Sequence, residues 1–406
     1  MKKRNDSMKR LLIISAMLLC VAGLQAKDGD RILAMGYLGF RDDAATLENY
    51  QKLAEAGLDM VTLEMDQAEV QMHFDLAAEA GVKIMGVLAP YTDHHNIADV
   101  DFEAVERLVM RYKDHPALFG WHICDEPNIN RIPDLKRIKE YIEALDPEHP
   151  VYINLDPLGS IRALGTDFYR DYVETYARDC NLTLLSYDCY PAMAHEIVNW
   201  WYMCNEAVLA VTRKYGIPFW AFAATCWIDR EGPTNIHAKP TLENVRLTVN
   251  THLAYGAQAM QYFTIRDFGG TSWSPMMGTE WTDAYDLLKE ANLEMKRREF
   301  IFAGGEVVKT RFTHLTPFAC LPLIPEDLPA AISSLDTDRT ALVSFVENGD
   351  ARYLVVANSS WREKCKADVT LAQACVIIDR TGRASECPEG KNALVIDEGD
   401  MLVIKY

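Results

Sequence analysis

The sequence lacks the short motifs of several common enzyme classes. It contains no HExxH zinc-binding helix, no GxSxG nucleophile turn and no Walker phosphate loop. No glycine-rich loop follows its first apolar segment, which disfavours a nucleotide-binding doubly wound sheet. Its ten cysteines include no CxxC pair, so the spacing of a zinc site or of a thioredoxin-type redox site is missing as well.

Long apolar runs are missing after residue 26, and no later segment is apolar enough to cross a membrane. At the N-terminus, basic side chains precede the apolar stretch Leu11–Leu24, and Leu24–Ala26 follows as a cleavage site. This order predicts a signal peptide over residues 1–26, because the apolar stretch is too short for a membrane anchor. We expect an exported protein, periplasmic or extracellular. A lipid anchor on Cys20 is the less favoured alternative, since Leu19 precedes it where lipobox sequences carry a small residue.

Positive charge is also scarce. The chain carries 41 basic and 59 acidic side chains, a formal net charge of −18 at pH 7. Removing the leader, with its five basic residues and one acidic residue, takes this charge to −22. So acidic a surface repels phosphate backbones, and we expect no nucleic-acid partner. It suits a soluble protein that acts on a neutral substrate.

Eight apolar, strand-like segments alternate strictly with amphipathic helical stretches in the first three quarters of the chain. Strict alternation indicates a parallel α/β fold, and eight units fit a closed (β/α)₈ barrel better than an open sheet. We therefore predict a TIM barrel over residues 27–304. The predicted strands are Ile32–Phe40, Leu58–Met65, Val82–Pro90, Leu118–Cys124, Val151–Leu155, Leu182–Cys189, Ile217–Thr225 and Ala259–Ile265.

The pattern changes after Gly304. Short strand-like segments follow one another closely, and Glu347-Asn348-Gly349-Asp350 is a hairpin signal. We predict a small antiparallel β-sandwich over residues 305–406 as a structural cap on the barrel. In an oxidising compartment two of Cys365, Cys375 and Cys387 would be able to pair, and the sequence leaves open which two. The predicted strands are Ala341–Val346, Ala351–Ala357, Lys366–Leu371, Cys375–Asp379 and Ala393–Tyr406.

The sharpest chemical signal lies at the end of the fourth predicted strand. The buried segment ends abruptly in Cys124-Asp125-Glu126-Pro127, and Pro127 breaks the strand because it has no N–H to donate. Reactive residues of a TIM barrel sit at such strand ends. With Trp121 and other aromatics around it, Glu126 would have a raised pKa, which suits a general acid. The plainer interpretation is a loop that starts with two solvated charges.

This segment resembles a known family. Gly120–Pro127 is similar to the fourth strand of clan A glycoside hydrolases, which ends in Asn-Glu-Pro or Asp-Glu-Pro. The resemblance implies that Glu126 is the catalytic acid/base and that Asp125 replaces the substrate-orienting Asn. Further segments resemble bacterial secreted β-galactosidase-like proteins, namely Gly36–Gly57, Pro218–Phe222, Leu253–Ala257 and Gln261–Thr264.

The second carboxylate is less clear, because the clan carries its nucleophilic Glu at the end of strand seven. Here that strand ends without an acid, and Asp229 and Glu231 follow only in the loop. Asp188, at the end of strand six, is the other main candidate, and Glu64 is a third. A partner about 5–5.5 Å from Glu126 predicts retention of configuration, and one at roughly 6.5–9.5 Å predicts inversion.

Polar and aromatic residues at the other strand ends predict a sugar-binding surface. Sugar rings stack their C–H faces on aromatic side chains, while their hydroxyls need polar partners. We expect no metal and no other cofactor. The candidate substrate-binding residues are Glu64, Asp125, Asn154, Asp156, Tyr187, Tyr190, Trp227, Tyr262, Arg266 and Trp273.

Two functions follow from these observations. The first is a secreted glycoside hydrolase that cleaves an oligo- or polysaccharide with Glu126 as acid/base and Asp188 or Glu231 as nucleophile or base. The second is a non-catalytic carbohydrate-binding protein on a glycosidase-like barrel, which the missing acid on strand seven favours. A metal-dependent barrel hydrolase is a third possibility, but no convincing set of His and Asp ligands supports it.

The leader yields a direct prediction. N-terminal sequencing of the exported protein should read from Lys27, because cleavage is expected after Ala26. A first residue at Cys20 carrying lipid would contradict this and show a lipoprotein.

Overall fold

The computed structural model describes residues 31–160, 164–192, 197–198, 200–228, 238–315 and 321–406. Eight parallel strands close into a barrel in chain order, which confirms the predicted TIM barrel. The strands are β1 (Leu33–Tyr37), β2 (Met60–Glu64), β3 (Lys83–Val87), β4 (Leu118–Asp125), β5 (Val151–Leu155), β6 (Leu185–Tyr187), β7 (Phe219–Ala224) and β8 (Ala259–Phe263).

The helices follow the strands one by one and pack their apolar faces on the outside of the barrel. Thr46 caps the first helix by accepting the backbone N–H of Asn49, and Thr241 forms a capping box with Asn244 at the seventh. They are α1 (Leu47–Glu55), α2 (Val70–Ala80), α3 (Phe102–Tyr112), α4 (Ile132–Leu145), α5 (Tyr169–Asp179), α6 (Trp200–Tyr215), α7 (Leu242–Ala254) and α8 (Asp283–Phe302).

The chain also contains several shorter elements outside the eight barrel strands and eight helices. A four-residue helix spans Ala89–Thr92, and two short antiparallel ribbons pair Trp227–Ile228 with Thr271–Trp273 and Met276–Met277 with Glu280–Trp281. In the part of the chain that the structure describes, no helix combines the length and the apolarity needed to cross a membrane. Single 3₁₀ turns lie at Asp42–Ala44, Ile97–Asp99, Ile129–Arg131, Leu158–Ser160 and Pro325–Asp327.

Side chains of each barrel strand alternate between the interior and the helices, because successive residues of a strand point to opposite faces. Tyr187 and Tyr262, for example, belong to the outer core between strands and helices. A separate apolar cluster fills the barrel itself, so a ligand has to bind at the mouth formed by the carboxyl ends of the strands. This interior cluster is Met35, Tyr37, Met60, Met85, Tyr152, Leu184, Trp220, Phe222 and Ala259.

The C-terminal region forms two antiparallel sheets, as predicted. A six-stranded sheet has the order β9-β11-β12-β17-β14-β15, and a three-stranded sheet has the order β10-β13-β16. The predicted segment Ala393–Tyr406 is divided by a turn at Gly399, and three strands were not predicted, namely β9, β10 and β15. The strands are β9 (Glu306–Phe312), β10 (Ile332–Thr337), β11 (Ala341–Asn348), β12 (Ala351–Asn358), β13 (Cys365–Leu371), β14 (Cys375–Ile378), β15 (Ala384–Cys387), β16 (Gly390–Ile396) and β17 (Met401–Lys405).

Of the three C-terminal cysteines, two lie on neighbouring strands of one sheet and the third lies on the other sheet. Cys375 and Cys387 are direct partners across β14 and β15, whereas Cys365 lies opposite Ile396 on the other sheet. All three are buried free thiols. If two of them pair after export, the register favours Cys375 with Cys387, since only these two stand directly opposite each other.

The sandwich is held to the barrel by buried polar groups as well as by apolar packing. Arg298 of α8 is fully buried and donates to Asp400 at 3.0 Å and to Asn250 of α7 at 2.9 Å. Asn250 in turn donates to the backbone oxygen of Gly399 at 2.9 Å. Since both partners accept hydrogen bonds, the buried guanidinium is paired, and the turn before β17 is tied to the two last barrel helices.

The close packing of the turn before β17 predicts that one glycine substitution there strongly destabilises the protein. A Cβ at Gly399, where φ is +66°, would lie 2.1 Å from the backbone oxygen of Glu243. Gly399→Ala should therefore lower the free energy of unfolding by about 3 kcal/mol or more, from backbone strain and overpacking together. Gly349→Ala is the matched control, because φ is +56° there and a Cβ would meet nothing within 4 Å. It should cost about 1 kcal/mol. Equal losses in chemical denaturation would contradict the packing described for this turn.

Candidate active site

The acids of β4 and β6 lie together at the mouth of the barrel. Asp125 is the last residue of β4, Glu126 follows it, and Asp188 follows β6. Asn154 of β5, the strand between them, donates from Nδ2 to Asp125 Oδ1 at 3.0 Å and to Asp188 Oδ1 at 3.1 Å. A single amide therefore links carboxyl groups from the strands on either side of it.

A β-bulge in β4 turns Asp125 towards this amide. His122 pairs with Tyr152 of β5, but the following pair joins Cys124 to Ile153, so β4 carries one extra residue. His122 faces the barrel interior, where its ring contacts Tyr152. Strict alternation from His122 would place Cys124 inward and Asp125 outward. The extra residue reverses this order, so Cys124 lies in the outer core and Asp125, which stays exposed at the mouth, turns its carboxyl towards Asn154.

The backbone holds Glu126 at the mouth in a costly conformation. Its φ is 47°, in the left-handed region, and its N–H donates to Asn154 O at 2.9 Å. For a residue other than glycine this conformation costs roughly 1–2 kcal/mol. Pro127 follows directly and ends the strand. Strain of this kind concentrates at functional sites, where the surroundings enforce it.

The carboxyls of Asp188 and Glu126 are close enough to affect each other's pKa. Asp188 is 6% exposed, and its burial raises its pKa well above the usual range, followed by the charges of Glu126 and Asp125. Glu126 is an exposed residue, but partial burial of its carboxyl, and then the charge of Asp125, also raise its pKa. Since each acid carries a raised pKa, their titrations are linked and belong to the pair rather than to either residue alone.

Tyr37, the last residue of β1, completes the group from the other side. Its phenol lies near Asp125. Burial, and then the charge of Asp125, raise the pKa of Tyr37 well above its usual value, so the phenol stays neutral. The carboxyl of Asp125 thus accepts from Asn154 and has the neutral phenol of Tyr37 beside it.

Glu64 and Arg266 lie on the opposite side of the same mouth. Arg266 Nη2 donates to Glu64 Oε1 at 2.5 Å, and the side chain of Arg266 is buried. Within the described residues, Glu64 Oε2 and Arg266 Nε have no hydrogen-bond partner. Both side chains line a cavity of about 490 Å³, to which the acid pair does not contribute. The other lining residues are Arg41, Asp42, Asp43, Asp66 and Gln67.

Three of the predicted aromatic residues are partly accessible in the segments that follow β6, β7 and β8. Tyr190 follows β6, and its ring lies 5.3 Å from that of Phe263, the last residue of β8. Trp227 and Trp273 are direct partners in a short ribbon, and Trp273 donates from Nε1 to Asp283 at 2.7 Å. Trp227 Nε1 has no partner among the residues that the structure describes. These rings offer apolar faces of the kind on which sugars stack.

Three other residues do not reach the mouth, and their predicted roles were wrong. Tyr187 is fully buried against His252 of α7, and Tyr262 donates to Asn292 of α8 at 3.0 Å. Both rings face the helices and are inaccessible to a substrate. Trp121 also faces outward, donating to Asp146 at 2.8 Å, so it does not surround Glu126 as expected.

Two further predictions concern residues after β5 and β7. Asp156 is buried just beyond β5, and its backbone N–H donates to the Tyr172 hydroxyl at 3.3 Å. The tip of β7 carries Ala224, followed by Thr225 and Cys226, and no acid. Glu231 and Asp229 lie outside the described residues, so their predicted roles stay predictions.

Sequence reasoning missed the neutral residues beneath the acids. Tyr37 was available as a strand-end residue, since Gly36–Arg41 closes the first predicted strand. Ser186 and Gln261 were detectable in principle, because a polar residue on the inward face of an apolar strand needs a partner. Ser186 and Gln261 belong to no sequence motif, and only the alternation of side chains along each strand indicates that they point into the barrel.

Comparisons with known proteins agree with this architecture. No protein-family model matches the sequence, and a search of curated proteins finds no match. Among solved structures, a family 42 β-galactosidase from G. stearothermophilus is 11% identical, with a TM-score of 0.58 over 93% of this chain and 98% of the other. A family 5 glycoside hydrolase from Bacteroides vulgatus is 14% identical, with a TM-score of 0.57 over 92% and 88%.

A third structure, a β-galactosidase from the psychrophilic Marinomonas ef1, is 12% identical with a TM-score of 0.50. The match covers 65% of this chain and spans 60% of the length of that β-galactosidase. At such identities the likeness concerns the fold alone. The chain thus has the barrel fold of clan A glycoside hydrolases, followed by a C-terminal β-sandwich.

Proposed function

We propose that the protein is an exported glycoside hydrolase that cleaves O-glycosidic bonds in an oligo- or polysaccharide. Glu126 is its general acid/base, and Asp188 is the second carboxylate. The observation that carries this proposal is the cluster of acids at the ends of β4 and β6, where Asn154 bridges Asp125 and Asp188 and the pKa values of Glu126 and Asp188 are raised. Glycoside hydrolysis needs one protonated and one ionised carboxyl at the same pH, and such a pair supplies both.

The two acids have different roles. Glu126 reacts in its protonated form, and Asp188 reacts as a carboxylate. Glu126 is the more exposed of the two and is able to protonate the leaving oxygen, while the Asp188 carboxylate faces the developing positive charge on the sugar. Glu64 and Arg266 supply hydrogen-bonding atoms for sugar hydroxyls on the other side of the mouth.

The closeness of the pair favours a retaining mechanism. An inverting enzyme needs roughly 6.5–9.5 Å between its carboxyls to hold a water, whereas retaining pairs stand about 5–5.5 Å apart. The mutual effect of Glu126 and Asp188 on their pKa values places their carboxyls close together, which favours the shorter spacing.

A second candidate function rests on the tip of β7. Its residues Ala224, Thr225 and Cys226 include no acid where the clan carries its nucleophile. This favours a carbohydrate-binding protein without hydrolytic activity. A third arrangement keeps the activity but gives the role of nucleophile to Glu231 or Asp229. The two experiments below separate these possibilities.

Replacing the carboxyl of Glu126 by an amide, which cannot donate a proton to the leaving group, tests its role as general acid. Glu126→Gln keeps the shape of the side chain, so hydrolysis of a natural glycoside should fall by about 10²–10⁴. The loss on an activated aryl-glycoside should be smaller, because its leaving group needs little protonation. Glu103→Gln, on the exposed first turn of α3, is the matched control and should leave both rates unchanged. Equal activity of Glu126→Gln and the wild type on the natural glycoside would remove Glu126 from the mechanism.

Azide rescue identifies the second carboxylate. Asp188→Ala should impair turnover severely, and Glu231→Ala should be the milder variant. Added azide should restore turnover in Asp188→Ala and form a glycosyl azide, because the small anion occupies the space of the lost carboxylate. Rescue confined to Glu231→Ala or Asp229→Ala would move the role to the loop after β7. A wild type inactive on every glycoside tried would favour the binding protein.

A further inference from the structure

Four polar side chains lie buried inside the barrel, directly beneath the acids. Tyr152 and Asn154 come from β5, Ser186 from β6 and Gln261 from β8, and none is more than 2% exposed. The barrel interior around them is otherwise largely apolar. Burying polar groups there is costly unless every donor and acceptor is paired, so their arrangement needs an explanation.

The hydrogen bonds between them form a chain that ends at Asn154. Tyr152 donates to Gln261 Oε1 at 2.7 Å, and Gln261 Nε2 donates to Ser186 Oγ at 2.9 Å. Ser186 then donates its one hydrogen to Asn154 Oδ1 at 2.8 Å. Tyr152 and Ser186 also lie 2.9 Å apart, but each hydroxyl has already given its hydrogen to an oxygen that can only accept.

This chain decides which way the amide of Asn154 points. Because Ser186 donates to its oxygen, Asn154 presents Nδ2 to the two acids, at 3.0 Å from Asp125 and 3.1 Å from Asp188. The reverse orientation would bring the amide oxygen next to the oxygens of two carboxyl groups and would remove the hydrogen bond that Ser186 donates. Loss of these bonds is unfavourable in a buried site.

We propose that Tyr152, Gln261 and Ser186 are positioning residues that fix the amide of Asn154, and through it hold Asp125 and Asp188 in the arrangement used for catalysis. This inference rests on the proposed function. The three residues lie below the acids and act through Asn154, so none of them is assigned a contact with substrate. A merely structural role for them would affect stability alone.

If these residues position Asn154, the pH dependence of kcat/KM should shift in one direction when the chain is broken. The hydrogen bond from Asn154 lowers the pKa of Asp188, in opposition to burial. Weakening that bond should raise the pKa of Asp188 further, so the acid limb of kcat/KM should move to higher pH. Burial raises the pKa of the four tyrosines and the thiol that interact with Asp188, so they stay neutral in the acid range. The titratable groups that interact with Asp188 are Asp125, Glu126, Tyr37, Tyr152, Tyr187, Cys189 and Tyr190.

Ser186→Ala is the central test, because it removes the one donor to Asn154 Oδ1 and adds no bulk. The expected result is a fall in kcat of about tenfold, a KM within about twofold of the wild type, and an upward shift of the acid limb by about one pH unit. Ser186→Thr keeps a hydroxyl and should recover much of the loss. Tyr152→Phe removes only the first donor of the chain, so its shift should be smaller and in the same direction.

Ser344→Ala is the matched control for the substitution itself. Ser344 is also fully buried, but it lies on β11 of the sandwich and its Oγ has no partner among the described residues. It should leave kcat, KM and the pH profile unchanged. Ser186→Ala and Tyr152→Phe with the same kinetic profile as Ser344→Ala would overturn the proposal, whatever their effect on stability.

A measurement that does not depend on catalytic activity tests the positioning role independently of the proposed glycosidase function. Carboxyl ¹³C NMR on protein labelled at Asp and Glu follows the titration of the pair directly in the wild type and in Ser186→Ala. A raised titration midpoint in Ser186→Ala supports the chain, even if no glycoside is hydrolysed and the proposed function fails. An unchanged midpoint rejects the chain, even if the wild type is an active glycosidase.

Discussion

The electrostatic interaction between the carboxyls of Asp188 and Glu126 is the one on which the site depends. Carboxyls that are partly buried and close together are costly to ionise at the same time, which raises the pKa of both. The barrel makes this possible because β4 and β6 are separated by a single strand, β5, which contributes Asn154 to both sides. Acids on rigid strand ends keep their spacing better than acids on loops do.

Much of the fold follows from hydrophobic periodicity. Strict alternation of strands and helices predicted the closed barrel, and a proline after two acids marked the end of β4. The side on which a residue lies was harder to predict. Tyr187 precedes Asp188, so only one of the two faces inward, and the same alternation places Gln261 inward and Tyr262 outward. Applied strictly, alternation would have excluded both tyrosines from the sugar site.

Other features of the site had no signal in the sequence. The bulge in β4 depends on pairing with β5, and without it strict alternation turns Asp125 away from Asn154. The aromatic ring beside Glu126 was expected from Trp121, yet that ring faces α4 and the pKa of Glu126 is raised by partial burial and by Asp125. Such features depend on which residues of neighbouring strands pair, and this register is known only from the folded structure. The hydrogen-bond chain beneath the acids is a further case, since it joins residues more than a hundred positions apart in Tyr152 and Gln261.

The most direct test of this account is the stereochemical course of the reaction catalysed by the wild-type mature protein. Aryl-glycosides of both anomeric configurations and a panel of polysaccharides would be incubated with it, and ¹H NMR would follow the anomeric proton of the first product released. The account predicts that at least one glycoside is hydrolysed and that the product first appears with the configuration of the substrate. Initial release of the opposite anomer would contradict the role given to the Asp188–Glu126 pair, and hydrolysis of none would contradict the glycosidase itself.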